Sequence, residues 1–165
     1  MTAMEVLRGA ALIAATITMG LMAGVFGLWS HTIMPALRRT DDRTFIAAFQ
    51  ALDRAIINSW FMTSFFGALA LTGLAAALHL GAGERSVLPW IVAAFVLYLV
   101  AIGITVAVNV PRNDALQAAG PPDRIGDLTA VRKRFDEAKW AAWNLVRTLT
   151  STAAFGCLAL ALILG

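Results

Sequence analysis

Long apolar runs separated by short charged stretches organise this chain. Four runs carry no Asp, Glu, Lys or Arg: Gly9 to Leu37, Ala55 to Gly83, Ser86 to Pro111 and Thr148 to Gly165. Each is about 18 residues or longer, enough for an α-helix rising ~1.5 Å per residue to cross a hydrocarbon core of ~30 Å. Lipid offers backbone amides no hydrogen-bond partner, so such runs must be helical. The pattern predicts an all-α fold, a four-transmembrane-helix bundle in one domain over residues 1–165. Its spans are expected at about 7–29, 60–80, 88–108 and 140–164. The first run is too long for a signal-peptide core, and Trp29, His31 and Pro35 stand where a small-residue cleavage site would fall. It therefore reads as a span.

A second pattern appears between the spans. Thr40 is placed to cap a helix whose first turn holds Asp41 and Asp42. Phe45, Phe49, Leu52 and Ile56 then recur at helical spacing, with Arg43, Gln50, Asp53 and Arg54 between them. This predicts an amphipathic helix at the interface, leading through Asn58 and Trp60 into the second span. The third span is expected to end in the segment from Asn109 to Asp114, because Pro111 cannot continue a regular helix. Gly120-Pro121-Pro122 marks a loop. From about Asp127 a charged helix, with Arg132, Lys133, Arg134, Asp136 and Glu137, is expected to run unbroken into the fourth span. In the first span Gly20, Gly24 and Gly27 form a small-residue stripe. It suits close packing within the bundle, or alternatively a homo-oligomer interface.

Charge adds an orientation. Of 13 Lys and Arg residues, all but Arg8 and Arg85 fall in or beside the two long connections. The positive-inside rule then places both connections in the cytoplasm and both termini outside, and the high alanine and arginine content points to a bacterial cytoplasmic membrane. These basic residues alternate with acids and adjoin spans, so anionic lipid explains them better than nucleic acid, and no nucleic-acid partner is expected. The lone Cys157, inside the last span, excludes an intrachain disulfide and a CxxC redox centre and reads as a packing thiol. The sequence holds no glycine-rich phosphate loop and no Ser-His-Asp arrangement.

Polar and aromatic residues gather at particular span ends. Trp29 and His31 close the first span, and Asn58 and Trp60 open the second. Asn109, Arg112 and Asn113 close the third, while Trp140, Trp143, Asn144 and Arg147 open the fourth. In an up-and-down bundle these ends share one membrane face, and the opposite face has nothing comparable. Tryptophans there serve either as interfacial anchors or as walls for a flat ligand. Arg112 either snorkels to lipid phosphate or meets a ligand. Trp140, Trp143, Asn144 and Arg147 fall on one helix face, and an ionisable group within a span usually faces the bundle interior or a cavity. Arg147 is accordingly a functional candidate. His31 is either a structural histidine or a general base, since imidazole titrates near neutrality. His79 lies at the far end of the second span, roughly 30 Å away by helix rise, so the two histidines cannot share a metal within one protomer and no metal site is expected.

The segments Trp29 with Ile33-Met34-Pro35-Ala36-Leu37, Phe45 with Phe49-Gln50, and Asn58 with Phe61 resemble the first half of the DUF1772 or anthrone oxygenase-like membrane family. Asn109-Val-Pro-Arg-Asn113, followed by Trp140, Trp143, Asn144 and Arg147, resembles its second half. The resemblance implies a four-helix membrane protein and cofactor-independent oxidation of an anthrone to a quinone by molecular oxygen. Under that reading His31, Arg112 and Arg147 carry the catalysis, with His31 as base and an arginine on the developing oxyanion. Trp29, Trp60, Trp140 and Trp143 would wall the substrate, and Asn58, Asn109, Asn113 and Asn144 complete the binding set. Two readings from other classes stand beside it. One is a non-catalytic binding or transport protein for a lipophilic molecule such as a quinone. The other is an accessory membrane subunit that uses the aromatic cluster as a partner interface.

Overall fold

The computed structural model describes residues 2–81 and 86–165. Arg85, counted above in the charge bias, lies outside the described residues, as does Gly83 in the turn between the second and third spans. Among the described residues every regular element is helical.

Helix α1 (Ala3–Leu37) opens with a reciprocal cap. Thr2 Oγ1 accepts from the Glu5 amide at 3.2 Å, and the Glu5 carboxylate accepts from the Thr2 amide at 2.8 Å. The helix then runs past the end expected at Trp29. It does so through a π-helical turn, Trp29–Ile33, in which the Met34 amide donates to the Trp29 carbonyl five residues back. Pro35 follows at once. Helix α4 (Leu88–Ala118) repeats the device. Its π turn is Thr105–Asn109, the Val110 amide donates to the Thr105 carbonyl, and Pro111 follows. Proline lacks an amide donor and its ring crowds the carbonyl four residues earlier. A turn widened by one residue absorbs both defects and lets the helix continue. The third span therefore does not end at Asn109, contrary to the reading of Pro111 as a stop.

Helix α2 (Asp42–Ile56) is capped by Asp41 rather than Thr40. Asp41 accepts from the Thr44 hydroxyl at 2.6 Å and from the Thr44 amide at 3.0 Å, while the Thr40 hydroxyl donates back to the Leu37 carbonyl. Those two Thr44 bonds hold the Asp41 carboxyl below its usual range. A depressed folded-state value means that the cap is intact at neutral pH and weakens as pH falls through it. Phe45, Ile46 and Phe49 of α2 are buried, and so are Gln50 and Asp53, which the polar-face reading had pointed to solvent. Gln50 turns inward because its amide donates to the Leu116 carbonyl at 2.7 Å and the Gly120 carbonyl at 3.0 Å. Helix α2 thus folds over the end of the bundle and packs on α4 and α5.

Helix α3 (Ser59–Leu78) starts at Asn58, whose side chain accepts from the Phe61 amide. Helices α5 (Leu128–Phe135) and α6 (Glu137–Leu164) are separate, against the expectation of one unbroken helix. Asp136 between them sits at φ 55°, in the left-handed region, and its carboxylate caps α6 through the Lys139 amide at 3.2 Å. Asp136→Ala removes the cap and is expected to cost about 1 kcal/mol in detergent unfolding, whereas Asp136→Gly, free to adopt this φ, should cost only a few tenths.

Around the bundle α1 packs on α3 and α6, α6 packs on α4, and the α3–α4 pair is in looser contact than the others. Four helices are long and apolar enough to span a membrane, and the molecule is an integral membrane protein. Its polarity is arranged accordingly. Ile13, Ile17, Val96, Leu149 and Ile163 are exposed on the outside, while Thr16, Thr72, Asn144 and Ser151 are buried. Buried alanines on all four spans, among them Ala15, Ala68, Ala94 and Ala154, let the backbones approach. Gly20 serves the same end, since a Cβ there would stand 3.0 Å from the Phe155 ring, but Gly24 faces open space.

Candidate functional site

The two π turns lie at the end of the bundle that carries the long connections, and both project residues into one space. Trp29 ends buried from the first, and Asn109 from the second. Between them, where α3 and α4 part, is a cavity of about 330 Å³. Phe61, Met62 and Phe65 of α3 form one side, and Ile102, Thr105 and Asn109 of α4 the other. Trp29 and Phe26 of α1 and Trp140 and Arg147 of α6 make the back, and Phe49 and Asp53 of α2 close the end. Phe66, Val106 and Val110 also belong to the wall yet are exposed on the outer surface, Val106 to 65%. The mouth therefore opens sideways between two spans, towards lipid.

The wall is aromatic. Trp29 and Trp140 have ring centroids 5.3 Å apart, and Phe49 lies 5.4 Å from Trp29 and 5.6 Å from Trp140. Phe135 supports Phe49 edge-on at 4.6 Å. Tilted and edge-to-face contacts of this kind fix ring orientation beyond what apolar burial alone does.

Arg147 puts a cation into this largely apolar wall. It is 6% exposed and its guanidinium lies over the Phe26 ring at 4.5 Å and the Trp140 ring at 5.5 Å. Nη2 donates to Asn144 Oδ1 at 2.6 Å and Nη1 to Thr105 Oγ1 at 3.0 Å. Asn144 is itself held, donating to the Phe26 carbonyl and to Ser30 Oγ. Arg147 Nε finds no partner, and among the described residues no carboxylate pairs with this cation. Asn109 Oδ1 is likewise buried and without a donor, its amide nitrogen engaged with the Trp140 carbonyl at 3.3 Å. A buried cation is costly unless neutralised, so an unneutralised one beside a cavity marks a place for negative charge.

A chain of side chains continues from Trp140. Its Nε1 donates to Asn113 Oδ1 at 2.8 Å, and Asn113 Nδ2 donates to Asp53 Oδ1 at 2.7 Å. Gln117 Nε2 donates to Asp53 Oδ2 at 2.9 Å, and Arg54 holds the Gln117 carbonyl oxygen at 2.8 Å.

Of the residues singled out from the sequence, Trp29, Asn109, Asn113, Trp140 and Arg147 meet around the cavity, and Asn144 stands behind Arg147. The others lie elsewhere. His31 is exposed, bonded to its neighbour Thr32 at 2.8 Å, and does not belong to the wall. Asn58 is occupied as a helix cap, and Trp60 is 78% exposed. Trp143 faces outwards, and Arg112 bonds back to the Val108 carbonyl at 3.0 Å without reaching the cavity. Asp53, Phe49, Phe26 and Thr105 are wall residues that sequence reasoning passed over. For Asp53 a signal existed: it falls four residues after Phe49 and three before Ile56, within the apolar stripe of α2. The opposite end is not featureless either, for Arg8, Glu5 and His79 line a cleft of about 370 Å³ there.

Compared with known proteins, residues 60–157, more than half of the chain, match the family model described as Anthrone oxygenase. No curated protein and no solved structure matches the chain. The matched span includes Asn109, Asn113, Trp140, Asn144 and Arg147, while Trp29, Phe49 and Asp53 precede it.

Proposed function

The chain belongs to the anthrone oxygenase family, and from that premise we propose that it is a membrane-embedded oxygenase which converts a hydrophobic, anthrone-like substrate to a quinone with molecular oxygen and without a cofactor. The observation that carries the reading is the buried, unneutralised Arg147 at the back of an aromatic cavity. An anthrone loses a proton from its methylene, and the resulting charge spreads onto the ring oxygen. Arg147 stands in the wall of this water-poor site as a fixed cation, which stabilises that oxygen far more strongly than it would in water. The electron-rich anion then reduces oxygen directly. The methylene carbon gains one oxygen atom and the second leaves as water.

Trp29, Phe49 and Trp140 supply the flat walls that orient a polycyclic ring, and Asn109 adds a polar side chain to the same wall. The substrate enters from the bilayer past Phe66 and Val106. The charge bias supports a cytoplasmic orientation for this end of the bundle. His31 has no part in the reaction as proposed here. His31→Ala is expected to alter turnover by less than about twofold, as for most surface changes, measured as initial rates at saturating anthrone.

The test is oxygen uptake by the purified, chelator-treated protein in detergent with unsubstituted anthrone. Uptake well above spontaneous autoxidation, with one quinone formed per oxygen consumed, is the expected result. Anthrone that quenches tryptophan fluorescence without any uptake would replace the oxygenase with a binding role.

A further inference from the structure

We propose that Asp53 is the group that takes the methylene proton, an inference that rests on the oxygenase reading and assigns the base within the same cavity. Asp53 is 8% exposed and stands in the cavity wall. Among the described residues no cation pairs with it. Its carboxylate is held instead by two neutral amides, Asn113 Nδ2 on one oxygen at 2.7 Å and Gln117 Nε2 on the other at 2.9 Å. One amide per oxygen orients the carboxylate yet leaves each oxygen a free lone pair. Asn113 is in turn set by Trp140, whose indole N–H occupies its carbonyl oxygen and so turns its NH₂ towards Asp53.

The position itself is telling. Phe45, Phe49 and Ile56 make the inward stripe of α2, and Asp53 interrupts it. For packing alone an aliphatic side chain would serve better there, since a carboxylate out of water costs several kcal/mol unless compensated. To tie α2 to α4, an asparagine would do nearly as well. A carboxylate at this point and an unneutralised Arg147 in the same wall form a separated pair of opposite charges with a cavity between their helices. A neutral substrate that releases a proton to one and settles its oxyanion on the other satisfies both.

The step balances without further reagents. The methylene C–H bond breaks, its electron pair stays with the substrate and delocalises to the ring oxygen facing Arg147, and an O–H bond forms on Asp53. Molecular oxygen, the co-substrate, is the oxidant of the anion that results. The proton then returns to water at the connection end, where Arg54 and Gln117 reach the surface.

Proton abstraction can be read apart from oxidation by anaerobic exchange of solvent deuterium into the methylene of anthrone, followed by NMR. The wild-type protein is expected to accelerate exchange over detergent alone. Asp53→Asn, with helicity and anthrone binding retained, should slow it by about 10²-fold or more, the usual share of a positioned base. Asp53→Ala with added formate, a replacement carboxylate, should recover part of the rate, which no purely structural role predicts. Exchange at the wild-type rate in Asp53→Asn, or no response of Asp53→Ala to formate, overturns the assignment to Asp53 alone. A wild-type protein that binds anthrone and neither exchanges nor oxidises it overturns the oxygenase reading itself.

Discussion

Arg147→Met is expected to lower anthrone turnover by about 10²–10³-fold while shifting the stability of the bundle little in either direction. The two halves of this outcome have separate causes. Turnover falls because the cation that faces the developing oxyanion is gone, and a preorganised donor in a water-poor site has no substitute. Stability holds because the folded protein carries the cost of a buried charge without a carboxylate partner. Methionine fills much the same space against Phe26 and Trp140 without that cost. The substitution strands Asn144 Oδ1, which accepts from Arg147 Nη2, at about 1–3 kcal/mol. Thr105 keeps its bond to the Ala101 carbonyl. The relief of the charge is of the same order as the stranded oxygen, so thermal unfolding should shift little in either direction. Oxygen uptake and thermal unfolding on one preparation decide the matter. Wild-type turnover in Arg147→Met would end the oxyanion role, and gross unfolding would show the arginine to be structural.

Phe49→Ala should cause the largest loss of stability, about 3–5 kcal/mol, the range for removing a buried aromatic ring. Phe49 is 1% exposed and touches Trp29, Phe135 and Trp140 at once. Inside the bilayer such a deletion would be softened, because lipid tails solvate apolar surface as well as a protein interior does. Helix α2 has no such refuge. It lies beyond the apolar runs, with Arg43 and Arg54 on its exposed face, so apolar surface uncovered there meets water. The variant should therefore unfold locally first, with α2 becoming a site of limited proteolysis while the four spans stay helical. Turnover should fall with it, because α2 carries both the end wall and Asp53. Phe66→Ala, on the outer rim where the ring is 56% exposed, is expected to cost under about 1 kcal/mol. Equal losses in both variants would mean that α2 is not held by this cluster.

The membrane architecture was legible in the sequence because it rests on one strong constraint, the need to satisfy every backbone amide internally across a fixed thickness. Span boundaries were less so. Pro111 reads as a helix end under the rule for a regular helix, and the first span reads as closing at Trp29, but a π turn before Pro35 and before Pro111 lets each helix continue, and the sequence carries no separate mark for that turn. The break at Asp136 escaped notice because its residue type has no strong preference against helix, and only the left-handed backbone reveals it. The site was visible in part. Trp140, Asn144 and Arg147 share one face by periodicity alone, and the family match covers them. His31 sat nearby in sequence, but the wider π turn directs Trp29 inwards and leaves His31 exposed.

The sequence by itself determined that this chain spans a membrane with four helices, and which end of them collects polar and aromatic groups. Hydropathy and helical period suffice for that, since both are local properties of each run. Only the tertiary structure decided which of those groups meet. Whether a wall residue faces the cavity depends on two π turns, on the parting of α3 from α4, and on α2 folding back to bring Phe49 and Asp53 to residues more than fifty positions away. Those are long-range packing outcomes, set by how surfaces fit together.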